Sequence, residues 1–458
     1  MFTVQKNGTK PLYQQIIEGI EAAIISGQLS PGERLPSERD LSIWLNVNRS
    51  TVIRALDELS DRNIIIRKSG SGTYVNDQKW GLLTYPSFNW RNSLVASYQP
   101  SPNFKEDASQ DYYDLRSGDL PIDLYPSLKL PEIDWQSLIL AEQQDNAQLG
   151  MLSLRETVQS YLKARFNFIV PVEQIMITSG AQQAISLIAL GLLKPGDAIG
   201  IEQPSYFYAL PIFQSVGLRI YGIPVDQQGL SIERLDELVH KHSLKMLFIN
   251  PNFQNPTGAV MSFKRKKELL DFCQRKNLPI VEDDAYSQLY FYQSVDVNPV
   301  KKWDIEGQTI YVGSLSKYLG KSIRIGWMIA PEAVVNNLAN IRQKLDSGLS
   351  VLPQVMAEHY LNDYSWEHEA ELRAILNQRA QLCVQWLKES LPKDYQFNLP
   401  LGGFHLYLIG KDQHQPILES LSKKNILALS GEYFGDTKFN NSARLSFVNF
   451  NVKFEGNV

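Results

Sequence analysis

Tyr311-Val312-Gly313-Ser314-Leu315-Ser316-Lys317 leads into Tyr318-Leu319-Gly320-Lys321-Ser322-Ile323-Arg324-Ile325-Gly326. A short apolar strand ends in two serines and a lysine, and an arginine follows seven residues later. A lysine amine condenses with aldehydes. Serine hydroxyls and a guanidinium suit a phosphate monoester. An aldehyde and a phosphate on one molecule point to pyridoxal phosphate (PLP), which makes Lys317 a candidate Schiff-base residue. Ser-x-Ser-Lys also occurs in ordinary surface turns, so the flanking segments must decide.

Those segments alternate between strand and helix. Short apolar runs at 174–178, 198–201, 218–223, 246–249, 279–282, 309–313 and 326–330 read as strands, with amphipathic helices such as 154–165, 184–193 and 264–276 between them. Alternation of this kind predicts a mostly parallel, seven-stranded sheet covered on both faces. Ligands of such sheets sit beyond the carboxyl ends of the strands. There the chain places Ser179-Gly180-Ala181-Gln182 at the start of a helix, Tyr206 after Gln203-Pro204-Ser205, Asn255-Pro256-Thr257-Gly258, and Glu282-Asp283-Asp284-Ala285-Tyr286. Small residues opening a helix let backbone amides approach a phosphate. An aromatic at 206 can stack on a planar ring, and the Asn255 amide can hold a phenolic oxygen. Three carboxylates at a buried strand end are costly unless they meet a cation, and a protonated pyridine nitrogen is one.

The N-terminal region has a different character. A helix over 11–27 carries Leu12, Ile16, Ile20, Ala23 and Ile24 at three- and four-residue steps. Ser37 is a good cap for a second helix, with Asp40 three residues on. A tight turn, Asn46-Val47-Asn48, precedes a third helix from Arg49. Two short strands around Ser69-Gly70-Ser71-Gly72 read as a hairpin. The pattern predicts an α+β winged helix-turn-helix, its third helix leading into a major groove with Arg49, Ser50 and Thr51. Arg67 and Lys68 lie on the wing.

Composition bounds the rest. The 458 residues carry a net charge of −4, so attraction to nucleic acid must be local rather than global. Cys273 and Cys383 have no metal-type spacing and fit a reducing compartment; no metal is expected. The polar N-terminus does not read as a signal peptide. No apolar run reaches the ~18 residues of a membrane span. A cytoplasmic, multidomain protein is expected, with no membrane partner.

Asn255-Pro256-Thr257-Gly258, Asp283-x-Ala285-Tyr286 and Ser314-x-Ser316-Lys317 with Arg324 resemble the large domain of fold-type-I PLP enzymes, the aspartate aminotransferase superfamily, over residues 114–447. Leu35-Pro36-Ser37-Glu38-Arg39-Asp40-Leu41, Asn48-Arg49-Ser50-Thr51-Val52 and Gly70-Ser71-Gly72-Thr73-Tyr74-Val75 resemble the DNA-binding domain of GntR regulators. Together they resemble the MocR subfamily of that family. The resemblance implies a DNA-binding domain over 1–76, a linker over 77–112, and an aminotransferase-like domain over 113–458. Its smaller α+β part spans about 330–458 plus the first residues of the region. Lys317 resembles the Schiff-base lysine and Asp283 the carboxylate on the pyridinium nitrogen. Asn255 and Tyr286 resemble the pair on the ring hydroxyl oxygen, and Tyr206 the stacking aromatic. Gly180, Ala181, Gln182, Ser314 and Arg324 resemble the phosphate cup, and Arg444 the arginine that forks onto an effector carboxylate. Arg39 and Arg49 resemble DNA contacts, alongside Ser50, Thr51 and the wing's Gly72; Arg54 is offset by one from a second family arginine.

Three departures stand out. Asp145 to Gly150 lacks the tyrosine that reaches a neighbouring subunit's phosphate. Phe207 stands where GABA-responsive members have arginine. Only 14 residues follow Arg444, fewer than the usual closing helix needs. The implied protein is a PLP-dependent transcription regulator that binds a double-stranded operator as a head-to-tail homodimer. It senses an amino acid, an amine or a B6 vitamer through Lys317. An aminotransferase with an appended DNA-binding domain is the alternative that the same residues leave open.

Overall fold

The computed structural model describes residues 2–6, 10–26, 28–68, 70–76, 112–129, 131–144, 147–346, 348–391, 395–411 and 416–450. The expected linker, 77–112, lies outside the described residues except for Tyr112, and of the 14 residues after Arg444, 451–458 lie outside them. The chain divides into two compact units near residue 100.

The first unit packs α1 (Leu12–Ile25), α2 (Glu38–Trp44) and α3 (Arg49–Asp61) beside a hairpin of β1 (Ile65–Lys68) and β2 (Gly72–Val75). Ser37 caps α2: its Oγ accepts from the Asp40 amide at 3.2 Å and its hydroxyl donates to the Asp40 carboxylate at 2.7 Å. Asn46 takes a left-handed φ of 53° and turns the chain toward α3. Val52, Ala55, Leu56 and Leu59, one face of α3, are fully buried against Ile16, Ile20 and Ile24 of α1. Burying each large side chain contributes about 1.5–3 kcal/mol, enough in sum for a small domain. β1 and β2 are antiparallel, Ile65 opposite Val75 and Lys68 opposite Gly72.

The second unit holds an eight-stranded sheet. Its strands are β4 (Ile175–Thr178), β5 (Ala198–Gln203), β6 (Arg219–Asp226), β7 (Gly229–Leu230), β8 (Met246–Ile249), β9 (Ile280–Asp284), β10 (Thr309–Ser314) and β11 (Gly326–Ile329), following β3 (Tyr113–Asp114) in the chain. The order is β4-β11-β10-β9-β8-β5-β6-β7. β10, β9, β8, β5 and β6 are parallel; β11 runs against both its neighbours. The expected seven strands become eight because Asp226–Gly229 turns tightly and lays Gly229–Leu230 back on β6. Side chains alternate between two cores. Tyr311 and Trp327 pack with Leu372 and Leu376 of the helix Ser365–Ser390. Ile310, Val312 and Met328 pack with Ile185 and Ile188 of the helix Ala181–Leu192. Both faces are covered, as a parallel sheet requires.

A second, antiparallel sheet follows, made by β12 (Tyr395–Gln396), β13 (His405–Gly410), β15 (Leu429–Ser430) and β16 (Ser442–Ser446), in the order β12-β13-β16-β15. Between β13 and β15 in the chain, β14 (Ile426–Leu427) pairs in parallel with β3. On β13 and β16, His405 lies opposite Ser446 and Tyr407 opposite Arg444, so His405 and Arg444 share a face.

Candidate functional site

A cavity of about 380 Å³ opens where β4, β8, β9 and β10 end and β13 and β16 come over them. Its lining brings together Ala181, Gln182, Tyr206, Asn255, Asp283, Tyr286, Ser314, Lys317, Arg324 and Arg444. Gly180 lies at its edge, where an added Cβ would stand 3.7 Å from the Arg324 guanidinium. Every residue expected around a cofactor is thus in one place. A larger groove, of about 890 Å³, lies between β6 and β12. Its charged residues, Asp226, Lys388 and Lys438, are all exposed, so it offers volume without chemistry.

The anionic end is the best prepared. Asp283 lies inside β9 rather than after it, 4% exposed, and its Oδ1 has no hydrogen-bond partner among the described residues. Its neighbours are satisfied. Glu282 accepts from the Val300 and Lys301 amides at 2.8 and 2.9 Å, and Asp284 accepts from Tyr311 at 2.9 Å and from Ser287. Those partners are why the strand continues through the carboxylates. Burial, then the nearby Asp284, pushes Asp283 up to about 7, with Lys317 opposing. An orphaned carboxylate oxygen at a cavity wall is a place for a cation.

Lys317 follows β10, and its Nζ donates to the Gly118 carbonyl at 2.7 Å. Burial brings it down to about 8; Asp119 opposes and Arg444 adds to the fall. Ser316 accepts from Ser314 Oγ at 3.1 Å, and the Ser316 amide donates to that same oxygen at 3.2 Å. Arg324 takes a left-handed φ of 50° and donates to the Ser179 carbonyl at 2.8 Å. The helix Ala181–Leu192 starts on Gly180, with no side chain capping its first amides. Free amides, hydroxyls and a guanidinium together make a phosphate-sized anion site.

Asn255 and Tyr286 lie in the cavity, each already engaged. The Asn255 Oδ1 accepts from Arg444 Nη1 at 3.1 Å, and the Tyr286 hydroxyl lies 3.2 Å from His405 Nε2. Arg444 also donates to the Arg116 carbonyl. Its Nε has no partner among the described residues. Burial lowers Arg444 to about 10, which leaves it a cation at neutral pH.

Several lining residues escaped the sequence reading. Asn250 donates to the Asp283 carbonyl at 2.7 Å and accepts from the Asn255 amide at 2.9 Å, tying two strand ends together. Its signal was its place, the first residue after β8. Gly118, Asp119 and His405 had no local signal, because other segments bring them here. Lys321 and Asp119 pair at 3.2 Å at the mouth; both are exposed, so the pair contributes little.

In the first unit Arg39, Arg49 and Ser50 are exposed and Thr51 is half-buried. Arg49 donates to Glu38 at 3.0 Å, and Arg67 of the hairpin lies 3.1 Å from Asp57 and 3.6 Å from Glu38. Glu38 therefore ties α3 to the hairpin. Arg54 lies 3.9 Å over the Tyr13 ring, an internal contact. Gly72, at φ 120°, lets the hairpin turn where Arg34 crosses it.

Residues 12–75 match the gntR family of bacterial regulatory proteins, and residues 110–451 match aminotransferase class I and II. The chain belongs to the GntR regulators of the MocR type. The regulator is 34% identical over 456 residues to the uncharacterized HTH-type transcriptional regulator YdfD of Bacillus subtilis, which covers 96% of this chain and 92% of that one. It is 30% identical over 442 residues to the HTH-type transcriptional regulator NorG of Staphylococcus aureus, with 92% and 97% covered. Among solved structures, the chain is similar to the multiple substrate aminotransferase of Thermococcus profundus, with a TM-score of 0.70 and 24% identity over 80% of this chain and 95% of that one. It is also similar to the kynurenine aminotransferase of Pyrococcus horikoshii, in complex with PMP, with a TM-score of 0.66 and 27% identity over 82% and 93%. The regulator is a transcription regulator whose second unit has the aminotransferase fold. No helix among its described residues is long and apolar enough to cross a membrane.

Proposed function

We propose that this regulator holds PLP on Lys317, and that an amino acid, amine or B6 vitamer entering the same cavity changes its affinity for an operator. The observation that carries the reading is the unpaired Oδ1 of Asp283 in one cavity with Lys317. When bound, PLP supplies an aldehyde that condenses reversibly with amines and a ring that withdraws electrons. The chain's own groups do the rest. Asp283 meets the ring nitrogen and keeps it protonated. Tyr206 lies against the ring. Asn255 and Tyr286 hold the ring oxygen. The Gly180-Ala181-Gln182 amides, Ser314 and Arg324 grip the phosphate. Arg444 takes an effector carboxylate through two parallel donors, and Lys317, brought down to about 8, gives and takes a proton near neutral pH.

DNA is read by the first unit. Arg49, Ser50 and Thr51 open α3 and enter the major groove, with Arg39 on phosphate and the Gly72 hairpin alongside. A head-to-tail homodimer in the cytoplasm completes the reading. An effector shifts DNA affinity only by as much as it prefers one state over another.

The test uses the full chain. PLP should produce a visible absorbance band that is lost in Lys317→Ala; a colourless protein sinks the cofactor reading. Arg49→Ala should weaken specific operator binding and leave the band untouched. Sustained conversion of an amino acid and a keto acid by the purified protein would replace a dedicated sensor with an aminotransferase that carries a DNA-binding domain.

A further inference from the structure

His405 is the first residue of β13, 2% exposed, and lines the cavity. Its Nε2 lies 3.2 Å from the Tyr286 hydroxyl, with the two rings edge-on at 81°. Its Nδ1 is buried and has no hydrogen-bond partner among the described residues. The imidazole is held tightly: a Cβ on Gly118 would stand 2.9 Å from its Cε1. Burial, then Arg444 and Lys317, keep the ring neutral by holding its pKa well below the usual range. A neutral imidazole carries one N–H. On Nδ1 that hydrogen would be a buried donor without an acceptor, the rarer and costlier kind of orphan. On Nε2 it has the tyrosine oxygen to meet, and only a lone pair is left bare.

We infer that His405 is a positioning residue for Tyr286: its Nε2–H donates to the tyrosine oxygen, so the tyrosine's own proton points into the cavity. No other described group accepts that proton. The inference rests on the PLP reading above, where the acceptor is the ring oxygen of the bound cofactor. A donor there would make that oxygen a weaker base, and the pH midpoint of the visible absorbance would fall. In the opposite tautomer Tyr286 would donate to His405 instead and be lost to the cofactor. The charged groups facing the pair are Lys317 after β10, Asp283 on β9, Arg444 on β16 and Asp119 beside Gly118. All are unchanged in the variants below.

The experiment is a spectrophotometric pH titration of the full-length, PLP-loaded protein. His405→Phe should move the midpoint up by about 0.5–1 pH unit, the equivalent of one net hydrogen bond. Tyr286→Phe should move it up at least as far, and the double variant no further than Tyr286→Phe alone, since the histidine acts through the tyrosine. A midpoint that falls or stays in His405→Phe overturns the inference, as does full additivity in the double variant. A measurement without any variant covers the case in which His405→Phe fails to fold. Selective 15N-histidine labelling of the wild-type chain should show His405 as the Nε2–H tautomer, and an Nδ1–H signal overturns the assignment. If the wild-type chain takes up no PLP, the cofactor reading fails instead, and the tautomer measurement still decides the hydrogen bond.

Discussion

Lys317 meets the cavity with its amine brought down from the usual 10.5 to about 8 by burial. The folded-state value is the lower one, so between about 8 and 10.5 the folded chain carries a neutral amine where an unfolded chain would carry an ammonium. Only the neutral form attacks an aldehyde. The rate of PLP capture, followed by absorbance, should climb about tenfold per pH unit up to about 8 and level off there; a rise that continues to pH 10 contradicts the burial argument. Asp283 shifts the other way, from 3.8 to about 7. The folded chain keeps this proton where the unfolded chain has lost it. Ionisation therefore costs stability that grows as pH rises through that window and is fully felt above it. In cofactor-free protein at pH 8, Asp283→Asn should raise the melting temperature by about 2–4 °C for each kcal/mol of relieved burial, while weakening PLP binding. A lower melting temperature would mean the carboxylate is structurally needed. Asp283 and Lys317 were legible in the sequence because each stands where an apolar run stops. His405 was not: it sits within the apolar run Phe404-His405-Leu406-Tyr407, and its place comes from the pairing of β13 with β16.

At the scale of elements, strands written as continuous apolar runs were readable, since burial on both faces leaves no room for polar residues. The strands not read were the two-residue ones, β3, β7, β12, β14 and β15, together with the longer β13 and β16. β7 depends on a local turn, and β3 and β14 pair across some 300 residues of chain, a contact without a local pattern. The hairpin of the first unit supports a direct test. Gly72 sits at φ 120°, and a Cβ there would lie 2.8 Å from Arg34 Nε. Gly72→Val should cost the DNA-binding unit about 1–3 kcal/mol, weakening operator binding in a fluorescence-anisotropy titration. The cofactor band of the second unit should not change; loss of both signals would show that the two units fold as one.

For the whole molecule, residues 112–119, the first described stretch of the second unit, matter most. Residues 112–119 follow 77–111 directly, and β3 within them is bound to β14 through the Tyr113 and Leu115 amides. Beyond β3, Arg444 donates to the Arg116 carbonyl and Lys317 to the Gly118 carbonyl. The two basic side chains that the proposed function assigns to a cofactor and an effector are therefore the same two that moor this stretch of backbone. Hydrogen exchange read by mass spectrometry should show faster exchange over 116–119 when PLP and an amino acid are added together, with the β10 amides unchanged. Unaltered exchange would mean that the mooring is decorative. If it is not, ligand and backbone compete for one set of donors, and by linkage the competition runs both ways: whatever displaces residues 116–119 must alter how tightly the cavity holds its ligand.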